Sequence, residues 1–431
     1  MANFILGMLQ LLSIIIISIY EYNKRSIVVF LWATLLIMFG IPHLLSIMTN
    51  TSDYSDDIMI KASIFVIMFN LLYIITKKFL NTFIFKDSNV SPNTRNYPQI
   101  SVGRRNRLKM LSLLVLTLGF LILIYYTIKH LGSLSNASWG KFRALSAELG
   151  FKSLLRYAKF ILFATSGIVL VYLKEESWKM ATISIIMIVL YTLITGNRII
   201  ILPVIISIIL KYIYINNKNL NFKTIIVIGI LGFMVIYLVY FLRLLRIYGG
   251  FYNMVTNNSI VELNKKNFEM ILSGDGELSL RNAFYHFIYY NNNFNNFNMG
   301  HTYIRLLLIV IPTSLIPGIK PPDFAISMGS AWSMNPYNTT YSMHPTLYGD
   351  CFANLWWFGI LLGIFWALFS FFIDKFIIKK NEVVRMMLMV LFSTAFVIAG
   401  RGSVYNGFFI AFAGTIIVAG INLASRINYI R

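Results

Sequence analysis

Thiols and carboxylates are scarce in this sequence. Its single cysteine, Cys351, excludes an internal disulfide and a cysteine-ligated metal cluster. Only 16 residues are acidic against 37 basic ones, and charged residues make up 12 % of the chain, about half the share of a soluble protein. The sequence contains no internal repeat, Walker loop, dinucleotide-binding glycine motif, CxxC or HExxH pattern, so nucleotide and thiol chemistry find no support. We expect no cofactor.

Apolar residues dominate instead, at 58 % of the 431 residues, with a mean hydropathy of +0.71. Apolar runs of about 18–22 residues recur along the chain, and such runs are long enough to cross a bilayer as helices. The pattern predicts an all-α polytopic membrane protein, with residues 1–431 forming a single integral membrane domain. We expect about eleven spans, near 3–20, 27–48, 58–76, 110–130, 154–173, 180–196, 199–214, 224–244, 353–373, 386–400 and 408–425.

The distribution of basic residues predicts the orientation of these spans. Lysine and arginine concentrate in alternate loops, which places those loops in the cytoplasm. The basic segments are 21–25, 77–109, 174–179, 216–223, 374–385 and 425–431. The N-terminus is then outside, the C-terminus is cytoplasmic, and one large outer loop covers 245–352. Basic loops beside anionic lipid explain the net charge of +21 without a nucleic acid partner.

Several arginines lie on the predicted outer face, where the charge rule does not require them. In YFLRLLRIYGG, Arg243 and Arg246 share one helix face at the outer end of a span. Snorkelling at the interface and helix capping before Gly249-Gly250 would explain them, and so would binding of a phosphorylated lipid headgroup. The other arginines of this face are Arg143, Arg198, Arg281, Arg305 and Arg401.

Few acidic residues or histidines are candidates for catalysis. The outer cluster Asp53, Asp56 and Asp57 has no histidine partner nearby in the sequence, and we predict no metal site. Asp275 and Glu277 in GDGEL suit a solvated turn better than a catalytic base. His344 and Asp350 stand where the large loop becomes a helix, and a histidine there can take a proton from a hydroxyl, although a structural hydrogen bond is the alternative.

Five short stretches carry a family resemblance. MGHTYIR matches a Gly-x-(Ser/Thr)-Tyr pattern, IPTSLIPGIKPP a proline-lysine-proline pattern, and HPTLYGDCFANLWWFG a Pro…Gly-Glu…Asn…Gly pattern. TGNR and RGSVYNG match two arginine-bearing hairpins. Together they resemble the Wzy-type polymerases of O-antigen and capsule repeat units, over residues 190–410. The matching loop residues are Gly300, Thr302, Tyr303, Pro312, Pro317, Lys320, Pro321, Pro345, Gly349, Asp350, Asn354 and Gly359, with Asp350 in place of glutamate and Trp356-Trp357 in place of a shorter aromatic step.

The resemblance implies a GT-C-like fold and a metal-independent glycosyltransferase of the bacterial cytoplasmic (inner) membrane. Its substrates would be oligosaccharides linked to undecaprenyl pyrophosphate, and its partners a chain-length regulator and a flippase. His344, Asp350 and Arg243 would be catalytic. Pyrophosphate or glycan would be bound by Arg143, Arg198, Arg243, Arg246, Arg281, Arg401, Tyr303 and Lys320.

Two other functions compete with polymerisation. A lipid-linked oligosaccharide flippase would carry two related halves and short loops, which this sequence lacks. An O-antigen ligase would have the same architecture and a different acceptor, and His344 keeps that alternative open.

We predict that the 245–352 loop is outside the cell. A cysteine at Asn295, in a Cys351→Ser background, should react with an impermeant maleimide in intact cells. A cysteine at Lys218, in a predicted cytoplasmic loop, should react only after permeabilisation. The reverse labelling pattern would invert the topology and remove the basis for an outer-face reaction.

Overall fold

The computed structural model describes residues 2–84, 98–134, 137–148, 154–216, 222–249, 251–256, 259–272 and 278–427, and these residues form helices joined by turns. The α-helices are α1 (Ala2–Asn23), α2 (Val29–Leu35), α3 (Ile41–Thr49), α4 (Asp56–Phe79), α5 (Val102–Leu131), α6 (Trp139–Glu148), α7 (Leu154–Thr165), α8 (Ile168–Lys174), α9 (Trp178–Thr195), α10 (Leu202–Leu210), α11 (Phe222–Ile247), α12 (Phe251–Thr256), α13 (Ile260–Leu272), α14 (Leu280–Tyr289), α15 (His301–Leu307), α16 (Phe324–Trp332), α17 (Thr346–Leu355), α18 (Leu362–Ile378), α19 (Glu382–Gly400) and α20 (Val404–Ala424).

Ten helical segments of the described chain are long and apolar enough to cross a membrane, which confirms an all-α polytopic membrane protein. They are Ala2–Asn23, Val29–Thr49, Asp56–Phe83, Val102–Leu131, Tyr157–Lys174, Trp178–Thr195, Arg198–Ile215, Thr346–Ile378, Glu382–Gly400 and Val404–Ala424. The predicted span at 224–244 corresponds to α11, within which Gly232–Leu245 is a shorter apolar helix. The tenth predicted span is longer than expected, since α19 begins at Glu382 and not near 386.

The chain divides into two compact units, each built from separate stretches of sequence. The first unit comprises Met1–Arg95, Gly274–Ile378 and Ala395–Phe409, and the second comprises Asn96–Ser273, Lys379–Thr394 and Ile410–Arg431.

The predicted basic loop 77–109 is helical at both ends. Helix α4 and the π-helical turn after it reach Ile84, and α5 begins at Val102.

Helix α4 is the central element of the first unit. Near its Phe79 end, the Lys77 ammonium lies 3.2 Å from the Asp374 carboxylate and 3.7 Å from the Glu21 carboxylate. Lys77 and Glu21 are buried, and the Tyr73 hydroxyl donates to Glu21 at 2.6 Å. Buried charges of this kind are tolerated when each has partners. The network therefore ties α1 and α18 to one end of α4.

The chain reverses direction at Trp356, between α17 and α18. Along α17, Tyr348 contacts Phe69 of α4 and Phe352 contacts Phe65, so the two helices run antiparallel. Along α18, in contrast, Gly363 packs on Phe69 and Asp374 on Lys77, so α18 runs parallel to α4. Trp356 has a positive φ of 53°, an uncommon conformation for a bulky residue. The apolar run Thr346–Ile378 is thus two limbs of opposite direction.

This reversal brings the start of α17 deep into the first unit. The Tyr348 hydroxyl donates to Asn70 at 3.0 Å, and Asn70 lies 14 residues beyond the start of α4. Fourteen residues of α-helix span about 21 Å, against about 30 Å for a hydrocarbon core. The predicted outer loop 245–352 therefore ends in a segment that packs beside the middle of a membrane-spanning helix.

We expect Gly359 to be essential for the reversal. A Cβ atom at this position would lie 2.3 Å from the backbone oxygen of Cys351, so Gly359→Ala should lower the free energy of unfolding by about 1–3 kcal/mol. Gly420→Ala, in the open environment of α20, is the matched control and should leave stability unchanged or slightly raised. Thermal unfolding of the purified protein in detergent measures both, and equal melting temperatures for the two variants would contradict the close approach.

Candidate functional site

Two of the sequence stretches that carry the family resemblance meet in the first unit. The Thr302 backbone N–H donates to Asn354 Oδ1 at 2.9 Å, and Asn354 Nδ2 donates to Thr302 Oγ1 at 3.1 Å. Asn354 Nδ2 also lies 3.2 Å from Asp350 Oδ1, and the Thr302 hydroxyl donates to Asp350 Oδ2 at 3.5 Å. These side chains fix the first turn of α15 against α17.

Asp350 is enclosed by this network. Asp350 is 1 % exposed, and its side-chain hydrogen-bond partners are the neutral groups of Thr302 and Asn354. The neighbouring Tyr303 hydroxyl lies 3.6 Å from the Cys351 sulfur. This environment suits a carboxyl group that positions the helix-loop junction, while a direct catalytic role for Asp350 stays a prediction.

His344 lies beside the hairpin that carries Arg401. The backbone N–H of Thr346, two residues after His344, donates to the carbonyl oxygen of Arg401 at 3.2 Å. Gly402 has a φ of +97°, and a Cβ atom there would lie 2.6 Å from the Thr346 nitrogen. The Arg-Gly-Ser turn can therefore approach the α17 start because residue 402 is glycine. The structure thus brings two predicted site segments together.

Arg305 and Lys320 form a second basic group in the first unit. The Arg305 guanidinium lies 4.5 Å from the ring centroid of Tyr405 and donates to the Pro321 oxygen at 2.5 Å. The Lys320 ammonium donates to the Ile311 oxygen at 2.7 Å. Burial lowers the pKa of Lys320, and the nearby charge of Arg305 lowers it further. Both cations thus donate to backbone carbonyl oxygens of the loop between α15 and α16.

Apolar side chains on this same loop are exposed, as expected for a segment at the membrane interface. Leu307 is 85 % exposed and Leu315 is 72 % exposed, while Lys320 is buried. An apolar outer surface with cations tied inward to backbone oxygens is what a hydrocarbon environment requires, because unpaired carbonyl groups are costly there. An interfacial position, expected from the short and proline-rich apolar run 305–318, stays a prediction.

Arg281 lies one turn before Tyr285 on α14, close to a buried histidine that sequence reasoning did not single out. His43 Nδ1 is 2.5 Å from the Tyr285 hydroxyl, and His43 Nε2 is 2.8 Å from the Ser63 hydroxyl. Burial raises the pKa of Tyr285, and the Arg281 charge opposes that shift. One signal for His43 was available, because an ionisable side chain inside an apolar span is expensive and usually has a purpose.

Arg198 and Arg243 belong to the second unit. The 3₁₀ turn Arg198–Ile201 follows directly on the left-handed Gly196, which confirms that TGNR is a tight hairpin. Ile201 shares a buried cluster with Leu244 and Leu245, which flank Arg243 on its C-terminal side. Arg198 is buried and Arg243 half-buried. The grouping of these two arginines with Arg401 around one ligand stays a prediction.

Some candidates have side chains outside the described part of the structure. Arg143 lies in α6 and Arg246 in the last turn of α11, and only their backbones are described. Asp275 and Glu277 lie outside the described residues. Helix α11 ends at Ile247, and Gly249 has a φ of +74°, as the capping interpretation of YFLRLLRIYGG requires.

The acidic residues between α3 and α4 have protein partners. Asp57 pairs with Lys61 at 2.6 Å, and Asp56 accepts from the Asn3 amide at 2.7 Å. Burial, with Asp53 and Tyr290, raises the pKa of Tyr54 to about 12, so this tyrosine is a neutral phenol at physiological pH. Within the described ranges, His, Cys, Asp and Glu side chains form no group of three that could hold a metal ion.

Several basic residues at the predicted cytoplasmic face have carboxylate partners, although Arg104, whose Nε is buried without an acceptor, has none among the described residues. On the predicted cytoplasmic face, Arg105 and Lys109 pair with Glu175, and Lys174 pairs with Glu382. Arg243, Arg281 and Arg305, on the predicted outer face, form no ion pair with any carboxylate of the described chain, and each has one buried guanidinium nitrogen without a hydrogen-bond acceptor there. These nitrogens can donate to an anionic ligand.

No protein family, characterised protein or solved structure compared with this chain matches it significantly. The resemblance to repeat-unit polymerases therefore stays a hypothesis based on the short stretches quoted above.

We predict that Asn354 holds the α15–α17 junction together. Asn354→Ala would leave the buried Thr302 N–H and Asp350 carboxyl with fewer partners, which should lower the free energy of unfolding by roughly 2–4 kcal/mol. Asn295→Ala, an exposed asparagine of the same unit, is the control. Unfolding in mixed detergent micelles measures both, and a wild-type midpoint for Asn354→Ala would show that the network contributes nothing.

Proposed function

We propose that this protein is a membrane glycosyltransferase that polymerises oligosaccharide repeat units linked to undecaprenyl pyrophosphate. The observation that carries the proposal is the set of three half-buried arginines, Arg243, Arg281 and Arg305, whose guanidinium groups have donors to spare and no carboxylate partner in the described chain. A guanidinium at membrane depth is costly unless it meets an anion, and its planar fork suits phosphate oxygens.

The proposed reaction would occur at the outer face of the bacterial cytoplasmic membrane. The bond between the anomeric carbon of the growing glycan and the lipid pyrophosphate would break, and a bond to a hydroxyl of a second lipid-linked repeat unit would form. The hydroxyl proton would pass to a base, for which His344 is our candidate. Negative charge would develop on the departing pyrophosphate, and arginine side chains would stabilise it.

The fold is compatible with two lipid-bound substrates. His344, Thr346 and the Arg401 turn lie together at the beginning of α17, which packs beside the middle of α4. A reacting group at this depth could be reached by a headgroup whose lipid tail remains in the bilayer. A chain-length regulator and a flippase would be the partners of such an enzyme.

Arginine substitutions test the proposal through the length of the glycan. Truncation of a charge-assisted contact to the leaving group costs about 2–4 kcal/mol, so Arg243→Ala should slow polymerisation roughly 30- to 1,000-fold. Arg243→Lys should restore little activity, because an ammonium cannot form the bidentate contact. The same pair of variants at Arg281 and Arg305 extends the test to the other two arginines of the set.

The control is Arg104→Lys. In the native protein the Arg104 guanidinium donates to the side-chain oxygen of Asn422 at 3.1 Å in the second unit. This variant should make full-length polymer. Glycan length from purified enzyme and lipid-linked repeat units, normalised to inserted protein, is the measurement. Long polymer from the Lys variants at all three proposed positions would exclude a bidentate pyrophosphate site, and single-unit transfer to another lipid would favour the ligase.

A further inference from the structure

Three buried side chains from three separate elements form a continuous hydrogen-bonded chain in the first unit. Ser63 comes from α4, His43 from α3 and Tyr285 from α14, and all three are buried. The distances are 2.8 Å from Ser63 Oγ to His43 Nε2 and 2.5 Å from His43 Nδ1 to the Tyr285 hydroxyl. The His43 ring thus joins Ser63, which is 20 residues away in the sequence, to Tyr285, which is 242 residues away.

The surroundings of this chain are largely aromatic, with the buried Ser46, whose hydroxyl donates to the His43 carbonyl oxygen at 2.8 Å, as a further polar side chain. Phe39 stacks on the His43 ring with a centroid distance of 5.1 Å, and Phe39 also contacts Phe284 and Tyr285. A π-helical turn, Leu36–Gly40, ends directly before α3, and such turns occur often at functional sites. Apolar residues of similar shape would fill this space at lower cost in desolvation. The buried hydroxyl and imidazole groups therefore indicate a functional role in addition to packing.

Donor and acceptor roles along the chain follow from its outer end. Arg281 lies one helical turn before Tyr285 and can only donate hydrogen bonds. Where the Tyr285 oxygen accepts from Arg281, its own proton goes to His43 Nδ1 or to the nearby Ser46 hydroxyl, and the first choice completes the chain. The His43 proton is then on Nε2 and is donated to Ser63 Oγ. This assignment gives the Tyr285 oxygen and both nitrogens of the imidazole a defined role.

Arg281 itself is only partly held by the protein. One of its terminal nitrogens donates to the Leu278 oxygen, while its Nε is buried and has no acceptor among the described residues. Arg281 and Tyr285 are four residues apart on α14, so their side chains are neighbours on one helix face, and the guanidinium charge acts on the Tyr285 hydroxyl. A guanidinium that binds an anion well needs one fixed orientation, and supporting hydrogen bonds provide it.

We propose that Tyr285, His43 and Ser63 are positioning residues that hold the Arg281 guanidinium in the orientation in which it binds a phosphate group of the lipid-linked substrate. The inference rests on the proposed function for the identity of the substrate. Arg281 has a phosphate oxygen as its ligand, and the three buried residues orient the Arg281 guanidinium toward that oxygen. None of the three touches the ligand.

A double-mutant cycle between Tyr285 and Arg281 tests this role, with undecaprenyl pyrophosphate in detergent micelles as the probe and undecaprenol as the uncharged control. Tyr285→Phe removes only the hydroxyl group and should raise the Kd for the pyrophosphate about tenfold, as loss of a hydrogen bond to a charged group does. In an Arg281→Ala background the same change should have almost no further effect, because no guanidinium remains to be oriented. His43→Phe should behave as Tyr285→Phe does. Tyr289→Phe, an exposed tyrosine of the same helix, should bind like the wild type.

The possible results separate this inference from the proposed function. An equal loss of affinity for Tyr285→Phe with and without Arg281 would show a merely structural hydroxyl and overturn the inference, whatever the protein polymerises. Wild-type protein that does not prefer undecaprenyl pyrophosphate to undecaprenol would overturn it too. If the Tyr285→Phe loss of affinity depends on Arg281 but the protein makes no polymer, the inference stands and the proposed polymerase function is rejected. Thermal unfolding of each variant identifies any loss of affinity that is due to unfolding.

Discussion

The first unit depends on how closely helix α4 is approached by the two limbs that meet at Trp356. Gly363 brings α18 against the backbone of Phe69, and Gly359 brings the turn against the backbone of Cys351. With these contacts, both limbs of Thr346–Ile378 pack on α4, although hydropathy counts this apolar run as one segment. The aromatic side chains Phe65 and Phe69 then serve both limbs, since Phe65 contacts Phe352 and Trp357. Interiors are closely packed and tolerate little added volume at such points.

This approach also determines where the polar groups of the first unit meet. Because α17 runs back along α4, its first residues lie beside Asn70, and the turn that carries Arg401 can bond to Thr346 there. The middle of α17 carries Asp350 and its C-terminal end carries Asn354, and both bind the first turn of α15. The residues that match the family pattern in separate stretches therefore have a common structural reason for their spacing. Arg281 and Tyr285 are carried by α14, which packs on both α4 and α17.

Sequence patterns predicted the parts of this fold that depend on local composition. Apolar runs identified the spans, TGNR identified a tight hairpin, and the Gly-Gly pair identified the end of α11. The reversal at Trp356 was missed because residues 353–373 are almost entirely apolar, and hydropathy does not report the direction of a helix. His43 was missed because its partners Ser63 and Tyr285 come together only in the folded chain. Charge patterns likewise marked Arg281 and Arg305, while their carbonyl and aromatic contacts required the structure.

The ion-paired network of Lys77 has a consequence for the order of events during biosynthesis. Glu21 and Lys77 are both inserted early, but Asp374 follows Lys77 by 297 residues and is synthesised only after the Asn96–Ser273 part of the second unit. At a synthesis rate of about 5–20 residues per second, the N-terminal helices wait for roughly 15–60 s with the α18-binding side of α4 uncovered. During that interval polar contacts between α1 and α4 can already form: the Glu21–Lys77 pair with the Tyr73 hydroxyl, the Asn3–Asp56 bond and the Asn70–Ser13 bond. Nascent chains of this protein thus need an insertion machinery, or neighbouring lipid, that shelters a half-built helical bundle until its C-terminal segments arrive.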